Sequence, residues 1–291
     1  MKWYQVKEQA AGIKRLFFLY YVHKAFGRNA VKFLVYFITL FAFFGAKQIR
    51  KCSAKYLEII EIKPSLFNQY RHFLEYSMCL LDKMEIFSGR FDTSRISFAD
   101  ENDRKQLESD YGKGIFFICS HLGNIEVMRA LLNENSGRKV NIFLAKDQCK
   151  IFNDFIKAIS VKQTAETYAV EDIGMDTSIS MKDKTANGEI IVIAGDRTSK
   201  TSRNFKTKLF GREVEMPLGA FKFAQLMEVP VYFICVIKSP DETYKIHLKK
   251  FIPTHNDSTL ISAMQKEYVE FLEEKTLSAP FQFFHFYDMF N

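Results

Sequence analysis

Beyond Gly114 the chain alternates short apolar runs with segments of helical periodicity, and few folds accommodate that alternation. Residues 115–119, behind the turn signal Lys113-Gly114, form a buried apolar run of strand length. Strands are also expected at residues 140–145, 189–194, 231–237 and 244–249, with a weaker one at 167–170. Helical spacing is expected over residues 126–132, 149–159, 175–184 and 260–277, the last behind Asp257, and Pro217 opens one more helix. Strands interleaved with helices predict an α/β fold with a mixed, partly parallel sheet flanked by helices.

The first part of the chain has another character. Residues 33–46 are fourteen positions without a charge, bounded by Lys32 on one side and Lys47, Arg50 and Lys51 on the other. A spanning helix needs about 20 apolar residues. The run therefore fits better a helix lying in, or dipping into, one leaflet, its cations reaching to headgroups. This divides the sequence into an N-terminal helical membrane-associating segment, residues 1–60, and an α/β domain, residues 61–291. Helices broken at Pro64 are expected over residues 53–86, and a polar, solvated connection over 91–111.

Composition sharpens this reading at three points. Thirty Phe against one Trp exceeds what a core of this size needs, so apolar surface facing lipid or an acyl chain is expected, a Phe-rich core being the plainer alternative. The net charge of +7 favours anionic partners. The five cysteines (Cys52, Cys79, Cys119, Cys149 and Cys235) are scattered without metal-site spacing, which predicts no disulfide framework, no metal and a reducing compartment. The apolar stretch at 16–22 is followed by His23, Lys24 and Arg28 rather than by a cleavage site, so no secretory signal is read there.

The stretch Ser120-His-Leu-Gly-Asn-Ile-Glu126 carries the chemistry. It places His121 in the turn at the carboxyl end of a strand, with Asn124 as the N-cap of a helix and Glu126 in its first turn. The break at Gly123 and Asn124 lets imidazole and carboxylate meet. A His oriented by a carboxylate is a general base for a hydroxyl; on spacing alone, a surface His beside a solvated Glu stays open. Asp196 and Arg197 follow another apolar run and are expected to share one crevice with His121, since ligands of open α/β sheets bind beyond the carboxyl ends of the strands. Arg197 is suited to a phosphate or carboxylate. Lys200, Arg203, Lys206, Lys208 and Arg212 form a basic loop, a candidate dock for an acidic carrier protein or anionic headgroups. Nucleic acid is not expected, because no recognition helix or stacking-aromatic motif accompanies it. No glycine-rich phosphate loop and no G-x-S-x-G elbow occurs, which argues against nucleotide chemistry and serine hydrolysis.

Ser120-His-Leu-Gly-Asn-Ile-Glu126, Gly195-Asp-Arg197 and Phe210-Gly followed by Met216-Pro-Leu-Gly-Ala220 together resemble the bacterial lipid A late acyltransferases of lauroyl and myristoyl type, in the lysophospholipid acyltransferase-like superfamily. Trp3 to Glu8 and the ending Phe281-Gln-Phe-Phe-His-Phe-Tyr-Asp288 look closer to a branch found beside aryl polyene pathways. The resemblance implies transfer of a fatty acyl group from acyl carrier protein to a lipid or glycolipid hydroxyl at the inner membrane; the cations flanking residues 33–46 are expected to put the chain on its cytoplasmic face, and no cofactor is expected. The resemblance makes His121 the base, Glu126 its orienting partner, and Asp196 and Arg197 pocket residues; backbone N–H groups near Gly123 and Asn124 are the candidate donors to the oxyanion that such a transfer forms. An arginine that the family carries after the second strand is matched here by Lys146. The same residues leave open a thioester hydrolase that uses water, and a non-catalytic lipid-binding protein.

Overall fold

The computed structural model describes residues 13–128, 130, 138–145, 150–161, 165–198, 203–253 and 257–290. Lys146, Cys149, Lys200, the opening Trp3 to Glu8 and the end of the helix expected to reach residue 132 lie outside them. The chain forms two compact units, one of Met1–Phe91, Asp147–Lys162 and Pro280–Asn291, the other of Asp92–Lys146 and Gln163–Ala279. The boundary expected at residue 60 is therefore not where the units divide. The helix after Pro64, the stretch Asp147–Lys162 and the end of the chain all belong with the N-terminal helices, because the apolar faces they bury are each other's.

The first unit is helical: α1 (Ile13–Gly45), α2 (Lys47–Ile59), α3 (Leu66–Phe87) and α5 (Lys150–Ile159). α1 is the one helix among the described residues long and apolar enough to cross or anchor in a membrane. It is kinked at Gly27, whose φ of 77° and ψ of −177° interrupt the helix. Past the kink, Val31, Val35, Thr39 and Phe43 recur every four residues and are buried. Val31 and Val35 pack in one core with Met78, Leu81 and Met84 of α3 and Phe155, Ile156 and Ile159 of α5. Phe43 meets Tyr70 and Phe73 edge-on, at ring separations of 5.8 and 5.2 Å. The opposite face stays open, with Phe33, Phe37, Phe41 and Phe44 between 49% and 78% exposed. Arg28, beside the kink, pairs with the buried Asp82 at 2.6 Å and with Glu85, which also takes His23 Nε2 at 2.6 Å. Buried charges persist only when so partnered. α3 starts where Ser65 Oγ accepts from the Asn68 N–H at 3.2 Å, directly behind Pro64.

The second unit is α/β. Its seven-stranded sheet has the order β1-β9-β8-β2-β5-β3-β4. These strands are β1 (Ile96–Phe98), β2 (Ile115–Gly123), β3 (Val140–Leu144), β4 (Ala165–Ala169), β5 (Ile190–Ala194), β8 (Val231–Lys238) and β9 (Tyr244–Lys250). β8 and β9 pair antiparallel; every other pairing in this sheet is parallel. β2 and β8 are buried almost throughout, as continuous apolar runs in a parallel sheet must be. The helices are α4 (Glu101–Ser109), α6 (Met175–Ala186), α7 (Gly219–Met227) and α8 (Asp257–Ser278). From α7, Phe223 wedges edge-on against Phe116 and Phe143, at 5.6 and 5.1 Å.

Two expectations are corrected. The stretch 91–111 is not a bare connection: β1 adds to the sheet edge and Asp100 caps α4, accepting from the Asn102 N–H at 2.7 Å. The basic stretch is not an irregular loop either. Its described part is a hairpin of β6 (Asn204–Leu209) and β7 (Arg212–Pro217), whose alternate residues Leu209, Val214 and Met216 are buried.

Candidate active site

The parallel pair β2 and β5 builds the site. Ile115 through Cys119 stand in register with Ile190 through Ala194, and the Gly195 N–H donates to the Cys119 carbonyl at 2.9 Å. After that bond the two chains part. His121 does not lie in a turn, as expected; β2 runs on to Gly123, and its register with β8 shifts between Cys119 and Gly123. A bulge of this kind re-aims a side chain while keeping the strand in the sheet. Gly123 allows it: its φ is +69°, and a Cβ there would sit 2.0 Å from the Val236 carbonyl oxygen. No side chain fits so close to a backbone oxygen.

Asp196, on β5's side of the gap, spans it with both carboxylate oxygens. Oδ2 accepts from the His121 backbone N–H at 2.6 Å, and Oδ1 stands 2.9 Å from His121 Nδ1. The carboxylate is fully buried, while the imidazole is 36% exposed. An ionised carboxylate only accepts, so Nδ1 carries the proton and Nε2 is the basic nitrogen. The two bonds fix both the backbone position and the ring of one residue, from one rigid anchor.

The remaining expected residues sort as follows. Glu126 lies in the first helical turn past Asn124, half-buried; the carboxylate bonded to Nδ1, the role expected for Glu126, is that of Asp196. The Asn124 N–H was a candidate donor to a reacting oxyanion, but it donates to the Val236 carbonyl at 2.8 Å and is committed to the sheet. The Asn124 side chain is buried, and both its amide atoms are without a hydrogen-bond partner among the described residues, so it does not cap the helix as expected. Arg197 is half-buried directly beyond Asp196. Arg203, Lys206, Lys208 and Arg212 are all exposed. Lys206 stands opposite Glu215, and Lys208 opposite Glu213. Opposite charges facing across a hairpin attract, so the basic stretch is a mixed-charge surface.

Sequence reasoning had Asp196 near the site but not on the imidazole. The available signal was that both residues come just after strongly apolar runs, 115–119 and 190–194; pairing them needed the strand order, which places β5 beside β2. No protein-family model matches the chain, and no curated protein matches it.

Proposed function

We propose that this protein is a membrane-associated O-acyltransferase that moves a fatty or polyene acyl group from an acyl carrier protein thioester to a hydroxyl of a lipid or glycolipid. The observation that carries the reading is the His121–Asp196 pair at the carboxyl ends of two adjacent parallel strands. His121 Nε2 takes the proton of the acceptor hydroxyl as its oxygen attacks the thioester carbonyl. The tetrahedral adduct collapses by breaking the carbon–sulfur bond, and the imidazolium returns the proton to the leaving thiolate. An ester and a carrier thiol result, so atoms balance without a cofactor. Asp196 holds the tautomer and stabilises the imidazolium. The side-chain amide of Asn124, without a partner among the described residues, is our candidate donor to the oxyanion, and Arg197 a cation for the acceptor's phosphate or the carrier.

The first unit supports attachment to one leaflet rather than a span, and we place it at the cytoplasmic face of the inner membrane. Past its kink α1 runs from 28 to 45, about 27 Å at 1.5 Å per residue against a hydrocarbon core of about 30 Å. One side of that length is sealed by α3, so lipid cannot surround it. Tyr70 donates to the Tyr36 carbonyl at 2.9 Å, which sets the first turn of α3, with Leu66 and Phe67 exposed, near the carboxyl half of α1. Between Ile13 and Leu57 there are nine cations and no acidic residue, which complements anionic headgroups.

The test is acyl transfer from an acyl carrier protein thioester into extracted membrane lipids, followed by mass spectrometry. His121→Ala and Asp196→Asn should each lower turnover by about a thousandfold or more while the protein stays folded. Free fatty acid released without any acceptor would replace this reading with thioester hydrolysis. Full activity of His121→Ala would end it.

A further inference from the structure

The two bonds between His121 and Asp196 require the ends of β2 and β5 to hold a fixed separation where their ladder has just stopped. A third group stands at that point. The last ladder acceptor, the Cys119 carbonyl, takes the Gly195 N–H at 2.9 Å and also the hydroxyl of Tyr268 at 2.8 Å. Tyr268 comes from α8 and is buried, its ring met edge-on by Phe221 and Phe233 at 5.4 and 5.5 Å. The ring also fills the space beside Gly195: a Cβ there would lie 3.1 Å from Tyr268 Cζ, 3.2 Å from its hydroxyl oxygen and 2.8 Å from Ile118 Cγ2.

We infer that Tyr268 is a positioning residue for the His121–Asp196 pair, acting through the Cys119 carbonyl and the close approach to Gly195. Cys119 is two residues before His121, and Gly195 is the residue before Asp196, so one side chain touches the root of both partners. Burial, helped by the charge of Asp196, pushes the Tyr268 hydroxyl well above its ordinary pKa, so it remains a donor throughout the working range. Without that donor the Cys119 carbonyl keeps the Gly195 N–H but is held less firmly, and the carboxylate loses part of its hold on Nδ1. The inference rests on the acyl-transfer reading only for its kinetic consequence; the geometry it asserts can be read without turnover.

Tyr268→Phe keeps the ring and removes only the hydroxyl. In the full chain it should lower kcat by about five- to tenfold, the effect of one hydrogen bond, with KM changed less than twofold. The acid limb of the pH–rate profile should move to lower pH, because a less well placed carboxylate stabilises the imidazolium less. Nitrogen-15 NMR of labelled histidine should show the Nδ1–H tautomer of His121 giving way to a mixture. A lowered Tm with unchanged kcat, pH profile and tautomer would overturn the inference, leaving Tyr268 as packing alone. If His121→Ala proved fully active, the acyl-transfer reading would fall, yet the tautomer of the Tyr268→Phe protein would still decide this one.

Discussion

His72 offers a proton-linked stability test with its magnitude readable from the structure. The ring is fully buried in the first unit, with Nε2 donating to the Phe283 carbonyl at 3.0 Å and Nδ1 accepting from the Ser53 hydroxyl at 3.0 Å. Burial pushes its pKa from the ordinary 6.5 down to about 4, against a smaller opposing pull from the Phe283 carbonyl. Between those values the unfolded chain binds a proton that the folded one refuses, so unfolding becomes easier as pH falls. The stabilisation is complete above pH 6.5 and drains away toward pH 4. At about 1.36 kcal/mol per pH unit the loss reaches ~2 kcal/mol by pH 5 and ~3 kcal/mol by pH 4. Urea unfolding of the wild type and His72→Gln, at steps from pH 7 to pH 4, isolates this contribution in the difference between the two. The variant should start less stable and lose less on acidification, with the gap narrowing by those amounts. Parallel pH dependences would refute the argument and mean that the buried ring takes its proton without penalty.

Two more outcomes follow from geometry. Gly123→Ala places a methyl group 2.0 Å from the Val236 oxygen at a left-handed φ, and should cost several kcal/mol, about 2 to 4, in a thermal melt while abolishing turnover; a fully active, equally stable variant would show that the bulge is not needed to aim His121. Phe41→Asp with Phe44→Asp should abolish co-sedimentation with anionic vesicles, and high salt alone should leave the wild type bound, since apolar burial at about 25 cal/mol per Å2 is not screened; clean release by salt would favour a purely electrostatic attachment.

What could be read in advance followed the range of the forces involved. Residues 190–194 and 231–237 are apolar throughout, and burial on both faces is the cheapest arrangement for such a run. The α/β class followed directly. The hairpin of β6 and β7 was harder to see. Its turn residues are Phe210 and Gly211, both at positive φ, and its charged residues, alternating with the buried ones, read as a loop. At the site, His121 stood out from its neighbours, but its partner depended on which strand lies beside β2. Glu126 is five residues away and Asp196 seventy-five, and local spacing favours the nearer carboxylate. The bulge that carries His121 within the strand is a β2–β8 register shift, invisible without the partner strand. Tyr268 left no local signal at all, because its contacts come from Cys119, Gly195, Phe221 and Phe233.

The first unit gathers three stretches separated by most of the chain, Met1–Phe91, Asp147–Lys162 and Pro280–Asn291. A ribosome delivers them in that order, so the N-terminal helices cannot complete their packing when they emerge. Until Phe155 and its neighbours arrive, the side of α1 that carries Val31 and Val35 has only α3 to cover it. Until residues 283–286 arrive, His72 lacks the Phe283 carbonyl and the ring of Phe286, 4.4 Å away. For the length of translation the nascent chain thus presents apolar surface on both sides of α1 rather than on one. Early capture by a bilayer or a chaperone would shield that surface, whereas domains made of one continuous stretch can close as they are made. Completion of the helical unit in this sense follows synthesis of the α/β unit, although its first helix precedes every element of that unit.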